Sequence, residues 1–185
     1  MRTEQEVEAF KKEAIRRHIL GCTKCNSGAD PKCRCHTRCR REVLAYEACI
    51  PRDFWGVKAE MVKHNAEPFK RFVQVYAEQL TQALKNGYGL LLLGANGVGK
   101  TMFTSYVLME AIRQRRTSYY TTLPGLDYNI KRGFGSDVLR DRLDLMFTSD
   151  FVAIDEVGKE HFKGEGGSWI KTQLERILKL AREGL

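Results

Sequence analysis

Residues 94 to 101 read GANGVGKT and match the pattern G-x-x-x-x-G-K-[ST]. Glycines let the backbone curl until successive N–H groups face one anion, and the N-terminus of a following helix adds partial positive charge. Lys100 can then reach the β- and γ-phosphates of a nucleotide, and the Thr101 hydroxyl can ligate Mg²⁺. We therefore expect ATP and Mg²⁺ as ligands. The candidate nucleotide-binding residues are Gly94, Ala95, Asn96, Gly97, Val98, Gly99, Lys100, Thr101 and Met102.

Two acidic residues, Asp155 and Glu156, end the apolar segment FVAI. At the end of a buried strand Asp155 would hold Mg²⁺ together with Thr101, directly or through water, while Glu156 would orient and polarise the attacking water. Alone, two acids after an apolar strand usually form a solvated turn, but the phosphate loop makes the functional interpretation the stronger one. We expect Glu156 and Lys100 to be the catalytic residues. ATP is favoured over GTP because no N-K-x-D-like segment appears.

Five of the six cysteines lie between Cys22 and Cys39, so the thiols form one local feature rather than a chain-wide disulfide framework. The spacing Cys22-x2-Cys25-x7-Cys33-x-Cys35 offers four thiolates to one tetrahedral Zn²⁺. The C-x-C pair is tighter than a usual knuckle, so Cys39 or His36 could replace one of these four ligands. The alternative is a set of reduced thiols without metal. Cys49 stands apart and is interpreted as a packed thiol.

The chain has 185 residues, a formal net charge of +8 and a pI near 9.2. With 43% hydrophobic residues it is too apolar for a disordered protein, and its longest aliphatic run, 90 to 93, is too short to span a bilayer. The polar N-terminus shows no secretory signal, so we expect a cytoplasmic protein with no membrane partner. Residues 1 to 42 contain 11 Lys/Arg against 6 Asp/Glu, a patch that could contact nucleic acid phosphates or simply be solvated.

Hydrophobic periodicity and turn signals predict strands alternating with helices, which indicates a parallel sheet with covered faces. We expect three parts: a helical, Cys-rich zinc-binding element over 1–50, a linker over 51–68 whose aromatic residues Phe54 and Trp55 pack on a neighbour, and a partial ATPase domain over 69–185. The predicted helices are 4–20, a segment after Arg41 that ends before Pro51, 69–86, 101–115 and 169–182. The predicted strands are 89–93, 117–122 and 151–155, with a polar helix-turn region over 124–147.

Three segments together resemble the DnaC/DnaI/IstB-like branch of the AAA+ ATPases, which includes bacterial and phage replicative helicase loaders. They are GANGVGKT, the segment FVAIDE running into VGKE, and CIPRDFW ahead of the leading helix. The resemblance covers roughly residues 20 to 185. It implies an α/β P-loop NTPase core with a parallel sheet flanked by helices. It also implies ATP-dependent engagement of a hexameric replicative helicase, its delivery onto single-stranded DNA, and a possible homo-oligomer. Lys100, Thr101, Asp155 and Glu156 carry over as phosphate, magnesium and catalytic positions.

In the resembled fold the strand order is 5-1-4-3-2, and this sequence stops before the fourth strand. We therefore expect a C-terminally truncated piece of a longer protein, without the family's sensor asparagine, arginine finger and lid, and poorly active in hydrolysis. Two other functions stay open. One is an IstB-like ATPase that assists a transposase, a group that generally lacks the cysteine segment. The other is a non-catalytic nucleotide-binding adaptor.

Overall fold

A computed structural model describes residues 2–61, 67–133 and 143–157, together with Thr172 and Glu175. Within these residues the chain is a mixed α/β structure, with an additional helical turn over 143 to 147. The helices and strands, in chain order, are α1 (Glu4–Ile15), α2 (Arg34–Glu47), α3 (Glu67–Glu78), α4 (Leu80–Asn86), α5 (Lys100–Arg113), β1 (Ser118–Thr122), α6 (Leu123–Gly133) and β2 (Phe151–Asp155).

Strands β1 and β2 are parallel neighbours, with Ser118 opposite Phe151 and Thr122 opposite Asp155. Parallel strands need a crossover connection, and here the chain between them contains α6 and the turn over 143 to 147. The mixed α/β class and the parallel pairing of these two strands are confirmed. Both strands leave their carboxyl ends at the same edge of the sheet, which is where Asp155 lies.

The strand predicted over 89–93 is not found in the described structure, where β1 and β2 form a two-stranded sheet. Leu90 and Leu92 are half-buried against the α3–α5 cluster, whereas Leu91 and Leu93 are 78% and 79% exposed. The alternation is that of a strand, but a strand also needs a hydrogen-bonded neighbour. No described segment pairs with these residues, so an apolar run alone did not suffice to predict a strand here.

The helix predicted over 69–86 is two helices, α3 and α4, which meet at Gln79. Gln79 has φ −101° and ψ 23°, which interrupts the helical geometry. Val73, Ala77 and Leu80 are nevertheless fully buried in one cluster with α5. Of the positions that the periodicity assigns to the buried face, Val73, Leu80 and Ala83 are buried, whereas Phe72 is 57% exposed. Helix α4 ends before Gly87, at the predicted stop.

Helices α1 and α2 pack against each other through a small aromatic cluster. A capping box between Thr3 and Glu6 begins α1, and a π-helical turn, Arg16–Leu20, extends it toward the first cysteine. The rings of Phe10 and Tyr46 stack with centroids 4.1 Å apart, and Trp55 meets Phe10 edge-on at 5.8 Å. The Trp55 indole N–H donates to the carbonyl of residue 50 at 2.9 Å. The prediction that the linker aromatics pack on a neighbour is thus confirmed for Trp55.

A second contact joins the end of α2 to the sheet. The backbone N–H of Tyr120 in β1 donates to the carbonyl oxygen of Ala48 at 2.7 Å. Around this bond one buried cluster combines residues of three regions: Ala45, Ala48 and Ile50 from the N-terminal part, Leu108, Met109 and Ile112 from α5, and Tyr120 and Ala153 from the strands. The three-part division of the chain stays a prediction, but its first part shares a core with the sheet.

Most of the helix predicted over 169–182 lies outside the described residues; Thr172 and Glu175, which are described, are helical. The VGKE segment is described only at Val157. Among the helices that the structure describes, none has both the length and the apolar composition needed to cross a membrane.

The shared core makes Ile50 a sensitive position for stability. Ile50 is fully buried, so we expect Ile50→Ala to lower the free energy of unfolding by about 2–5 kcal/mol through lost contacts and a cavity. Leu20 is 57% exposed and supplies the control. Leu20→Ala should change the free energy of unfolding by less than about 0.5 kcal/mol. Urea unfolding monitored by Trp fluorescence measures both. Equal effects of the two substitutions would show that this core is not formed in solution.

Candidate functional site

The loop over 94–99 leads directly into α5. Gly97 and Gly99 have φ of +80° and +94°, a left-handed conformation that other residues rarely adopt. A Cβ added at Gly99 would lie 3.5 Å from the Met102 Cε atom, an ordinary contact, so backbone conformation rather than space requires glycine there. Gly99 is the N-cap of the 14-residue helix α5, which begins at Lys100. The loop therefore turns the chain onto the positive end of a helix dipole.

The Lys100 side chain folds back over this loop. Its Nζ atom donates to the carbonyl oxygens of Gly94 and Ala95, both at 2.7 Å. An ammonium group is thus held at the loop that leads into α5. Most of the predicted loop is open to a ligand. The exposed residues are Gly94, Ala95, Asn96, Gly97 and Val98, whereas Gly99, Lys100, Thr101 and Met102 are half-buried.

Thr101 and Asp155 are in direct contact although 54 positions separate them in the sequence. The Thr101 hydroxyl donates to Oδ2 of Asp155 at 2.6 Å. The other carboxylate oxygen, Oδ1, accepts the backbone N–H of Glu156 at 2.7 Å. Glu156 has φ +59°, which is uncommon for a residue other than glycine. The structure therefore brings three of the predicted site residues together at one edge of the sheet.

Tyr120 is a member of this group that the sequence did not reveal. Its hydroxyl donates to Oδ2 of Asp155 at 2.9 Å, the same oxygen that Thr101 contacts. Burial and then the neighbouring Asp155 carboxylate raise the pKa of Tyr120, so the phenol stays protonated and remains a donor. Alternation along the strand puts Tyr119 and Tyr120 on opposite faces of the sheet. The register of β1 against β2 determines that Tyr120, and not Tyr119, lies on the same face of the sheet as Asp155.

The residues at this edge suit a magnesium ion by donor type. A carboxylate and a hydroxyl oxygen, from Asp155 and Thr101, are hard oxygen donors of the kind that Mg²⁺ binds, usually together with waters and substrate phosphates. Lys100 lies at the loop one residue before Thr101 and supplies positive charge for phosphate. The arrangement therefore places a positively charged side chain at the loop and hard oxygen donors at the adjoining strand end.

The four predicted zinc ligands Cys22, Cys25, Cys33 and Cys35 form a second candidate site. All four sulfur atoms lie within 4.8 Å of one another. The Cys22–Cys33 and Cys25–Cys35 sulfur pairs are 3.9 Å and 3.4 Å apart. A tetrahedral zinc with Zn–S bonds of about 2.3 Å requires sulfur separations of about 3.8 Å. The four-cysteine cluster could therefore hold a metal such as zinc.

A tight turn after Cys25 shapes the first half of the cluster. Asn26, Ser27 and Gly28 all have positive φ, at 47°, 55° and 99°. The turn is closed by a hydrogen bond from the Ser27 N–H to the Cys22 carbonyl at 3.0 Å. A Cβ added at Gly28 would lie 2.6 Å from the Cγ2 atom of Ile19, so this position has no room for a side chain. The backbone thus folds Cys22 and Cys25 toward each other.

The start of α2 positions the other two cysteines of the cluster, Cys33 and Cys35. Cys33 is the N-cap, with extended backbone at ψ 142°, and Cys35 lies in the first helical turn. In a continuous strand two residues at this spacing would be about 6.6 Å apart along the chain. The change of conformation between Cys33 and Cys35 lets the short C-x-C spacing place both sulfurs in one cluster.

The two alternative ligands, Cys39 and His36, are not among the four ligand atoms that converge. Cys39 is 5% exposed and packs with Phe10 and Ala14 between α1 and α2. The His36 Nε2 atom is buried and has no hydrogen-bond partner among the described residues, and it is not part of the group of converging ligand atoms. The described structure thus favours the four cysteines first predicted.

The thiols of the four-cysteine cluster differ in acidity. The hydrogen bond from Cys25 lowers the pKa of Cys22 to about 7, whereas burial raises the pKa of Cys35 to about 12 and also raises that of Cys25. Because a metal binds thiolates, binding must release the protons of the less acidic thiols. Metal affinity is therefore expected to fall as the pH is lowered.

A comparison with curated proteins returns one weak relationship. The chain is similar to a replicative helicase loader. The relative is the replicative helicase loader DnaI of Bacillus subtilis (strain 168), which is 25% identical over 88 residues. These residues are 48% of this chain and 27% of the relative, so the match spans about a quarter of that protein's length. The similarity supports a relationship to DnaC/DnaI-like helicase loaders at most.

No protein-family model matches the chain. No solved structure matches it either.

The cysteine geometry leads to a direct metal test with Co²⁺, which reports sulfur ligation by visible absorption. We expect one Co²⁺ per reduced chain, displaced by Zn²⁺, and a loss of more than tenfold in affinity for Cys33→Ser because one of four thiolates is removed. Cys49→Ser should bind as the unmodified chain does, since Cys49 lies outside the cluster. Retained Co²⁺ affinity in Cys33→Ser would exclude the four-cysteine ligand set.

Proposed function

We propose that this protein is an ATP-dependent replicative helicase loader that binds ATP with Mg²⁺ and carries a structural zinc. The observation that carries the nucleotide site is the 2.6 Å contact between Thr101 and Asp155, because it joins the phosphate-loop motif to the acidic strand end. The weak similarity to DnaI supports the helicase-loading role. Assembly into a homo-oligomer is part of the same hypothesis.

Phosphate binding rests on the loop and on Lys100. The first N–H groups of α5 have no partners within the helix and point toward the loop, so they are available to phosphate oxygens. Lys100 now donates to the carbonyl oxygens of Gly94 and Ala95. A phosphate oxygen is a stronger partner for an ammonium than a neutral carbonyl. On nucleotide binding the Lys100 ammonium would exchange these loop contacts for the β- and γ-phosphates.

Thr101 and Asp155 would hold the magnesium ion, which when bound neutralises charge on the phosphates. Glu156 follows Asp155 directly, and its left-handed backbone turns the chain sharply at the end of β2. A carboxylate at this position can accept a hydrogen bond from a water and orient it for attack on the γ-phosphate. Lys100 stabilises the negative charge of the phosphates during transfer. Each role belongs to a residue near the loop or the end of β2.

The zinc has a structural role in this proposal. Residues 22 to 35 contain Cys25 as a buried hydrophobic residue and otherwise little apolar core. A segment this short needs a metal or disulfides to order it, because burial of apolar surface is insufficient. Four thiolates on one Zn²⁺ would fix the end of α1 against the start of α2.

Contact with single-stranded DNA is supported by the charge of α2. Arg34, Arg38 and Arg40 are exposed, and none forms an ion pair within the described part of the chain. Guanidinium groups pair with phosphates in bidentate fashion, and such contacts dominate binding without sequence preference. Lys24 and Lys32 add exposed charge beside the cysteine cluster.

The nucleotide site is tested with a fluorescent ATP analogue. We expect Lys100→Ala to weaken binding at least 100-fold, because the ammonium is the main positive charge at the loop. Lys85→Ala removes an exposed charge from α4 and should leave affinity within twofold. Glu156→Gln should bind as well as the unmodified protein, since its proposed role concerns the attacking water. Unchanged affinity in Lys100→Ala would refute the phosphate-loop assignment.

The helicase-loading role is tested by size-exclusion chromatography with the hexameric replicative helicase of the same host. We expect co-elution with Mg-ATP and reduced co-elution with Lys100→Ala or without nucleotide. Lys85→Ala serves again as the matched control. Absence of any complex under every nucleotide condition would contradict helicase loading while leaving ATP binding intact.

A further inference from the structure

The Asp155 carboxylate is held from a direction that no part of the predicted motifs supplies. Tyr120 lies on β1, whereas Asp155 ends β2, and its phenol hydroxyl reaches Oδ2 at 2.9 Å. We propose that Tyr120 is a positioning residue that orients the Asp155 carboxylate for Mg²⁺, so that it sets the magnesium dependence of nucleotide binding. This inference rests on the proposed nucleotide site.

The donors around the carboxylate explain why Tyr120 matters. An ionised carboxylate offers about four lone-pair directions. Oδ2 accepts the hydroxyls of Thr101 and Tyr120, and Oδ1 accepts the Glu156 N–H. Three donors in different directions fix the rotation of the carboxylate about its Cβ–Cγ bond. Thr101 is itself a proposed metal ligand, whereas Tyr120 is a side-chain donor that would position the carboxylate without that second task.

Tyr120 is also well placed to act as a fixed donor. Its backbone N–H donates to the Ala48 carbonyl at 2.7 Å, and the residue is 9% exposed within the cluster that contains Ile50 and Leu108. A ring packed on several elements has little rotational freedom, so its hydroxyl is directed at Asp155 before any ion arrives. Partners in the second shell of a metal site typically change metal affinity by about 10–100-fold when removed.

The test uses the full chain with Tyr120→Phe, which keeps the ring and removes the hydroxyl. A fluorescent ATP analogue is titrated with MgCl₂, and its affinity is measured separately in EDTA. We expect the half-saturating Mg²⁺ concentration to rise about tenfold while the affinity in EDTA stays within twofold. Tyr119→Phe is the matched control, because Tyr119 packs on the other face of β1 with Leu123 and Leu126. Its magnesium dependence should match that of the unmodified chain.

A double-substitution experiment separates positioning from general destabilisation. If Tyr120 acts through Asp155, adding Tyr120→Phe to Asp155→Asn should change the Mg²⁺ midpoint by less than twofold. Thermal unfolding of each variant reports whether the fold is kept, and Mn²⁺ binding followed by electron paramagnetic resonance gives a second reading of metal affinity.

The outcomes distinguish this inference from the proposed function. An unmodified chain that binds no nucleotide overturns both. An unmodified chain that binds Mg-ATP, with a Tyr120→Phe midpoint that is unchanged or lower, overturns the positioning role alone. Equal weakening with Mg²⁺ and in EDTA also overturns it, because that pattern indicates a structural effect on the whole site.

Discussion

Helix α5 has to pack on the sheet and begin at the phosphate-loop motif at the same time, and this double requirement organises the structure. Its buried residues divide between two clusters: Leu108, Met109 and Ile112 face the end of α2 and the strands, while Phe103, Val107 and Ala111 face α3. Phe151, the first residue of β2, packs against both clusters. Packing at the two faces therefore fixes the axis of α5 relative to β2. The helix start and the strand end are then brought together, and the Thr101–Asp155 contact follows.

The Lys100 ammonium and the Asp155 carboxylate are each held by hydrogen bonds from or to neighbouring protein groups. Lys100 donates to two loop carbonyls, and Asp155 accepts two hydroxyls and one N–H. A phosphate could replace the loop carbonyls as the partner of Lys100 with a stronger, charge-assisted interaction, whereas the Tyr120 hydroxyl and the Glu156 N–H would stay on the Asp155 carboxylate when it takes up a cation. Under the proposed function, a site with these side chains already in place would need little rearrangement to take up an anion and a metal, which favours pre-organisation over folding on binding.

The features of the fold and of the candidate site that the sequence predicts are those that depend on contacts between residues close together in the sequence. Spacing sufficed to predict the glycines of the 94–99 loop, the buried positions Val73 and Leu80, and the grouping of Cys22, Cys25, Cys33 and Cys35, because each of these features is local in the sequence. The interruption of the helix at Gln79 could not be predicted from the hydrophobic periodicity, because Val73 and Leu80 on either side of it are still buried in one cluster. The strand over 89–93 was wrongly predicted because pairing is a property of two segments. Tyr120 was missed for the same reason, since its contact depends on the register between β1 and β2.

A single rigid element connects the two candidate sites. Helix α2 begins at the cysteine cluster, with Cys35 in its first turn, and its C-cap is Ala48, whose carbonyl accepts the Tyr120 N–H. Its 14 residues span about 21 Å at 1.5 Å per residue. A helix bends little over four turns, so the orientation imposed at one end is carried to the other. A metal held by the cysteines, as proposed, would therefore fix where α2 starts, and the C-cap of α2 contacts the strand residue that donates to Asp155.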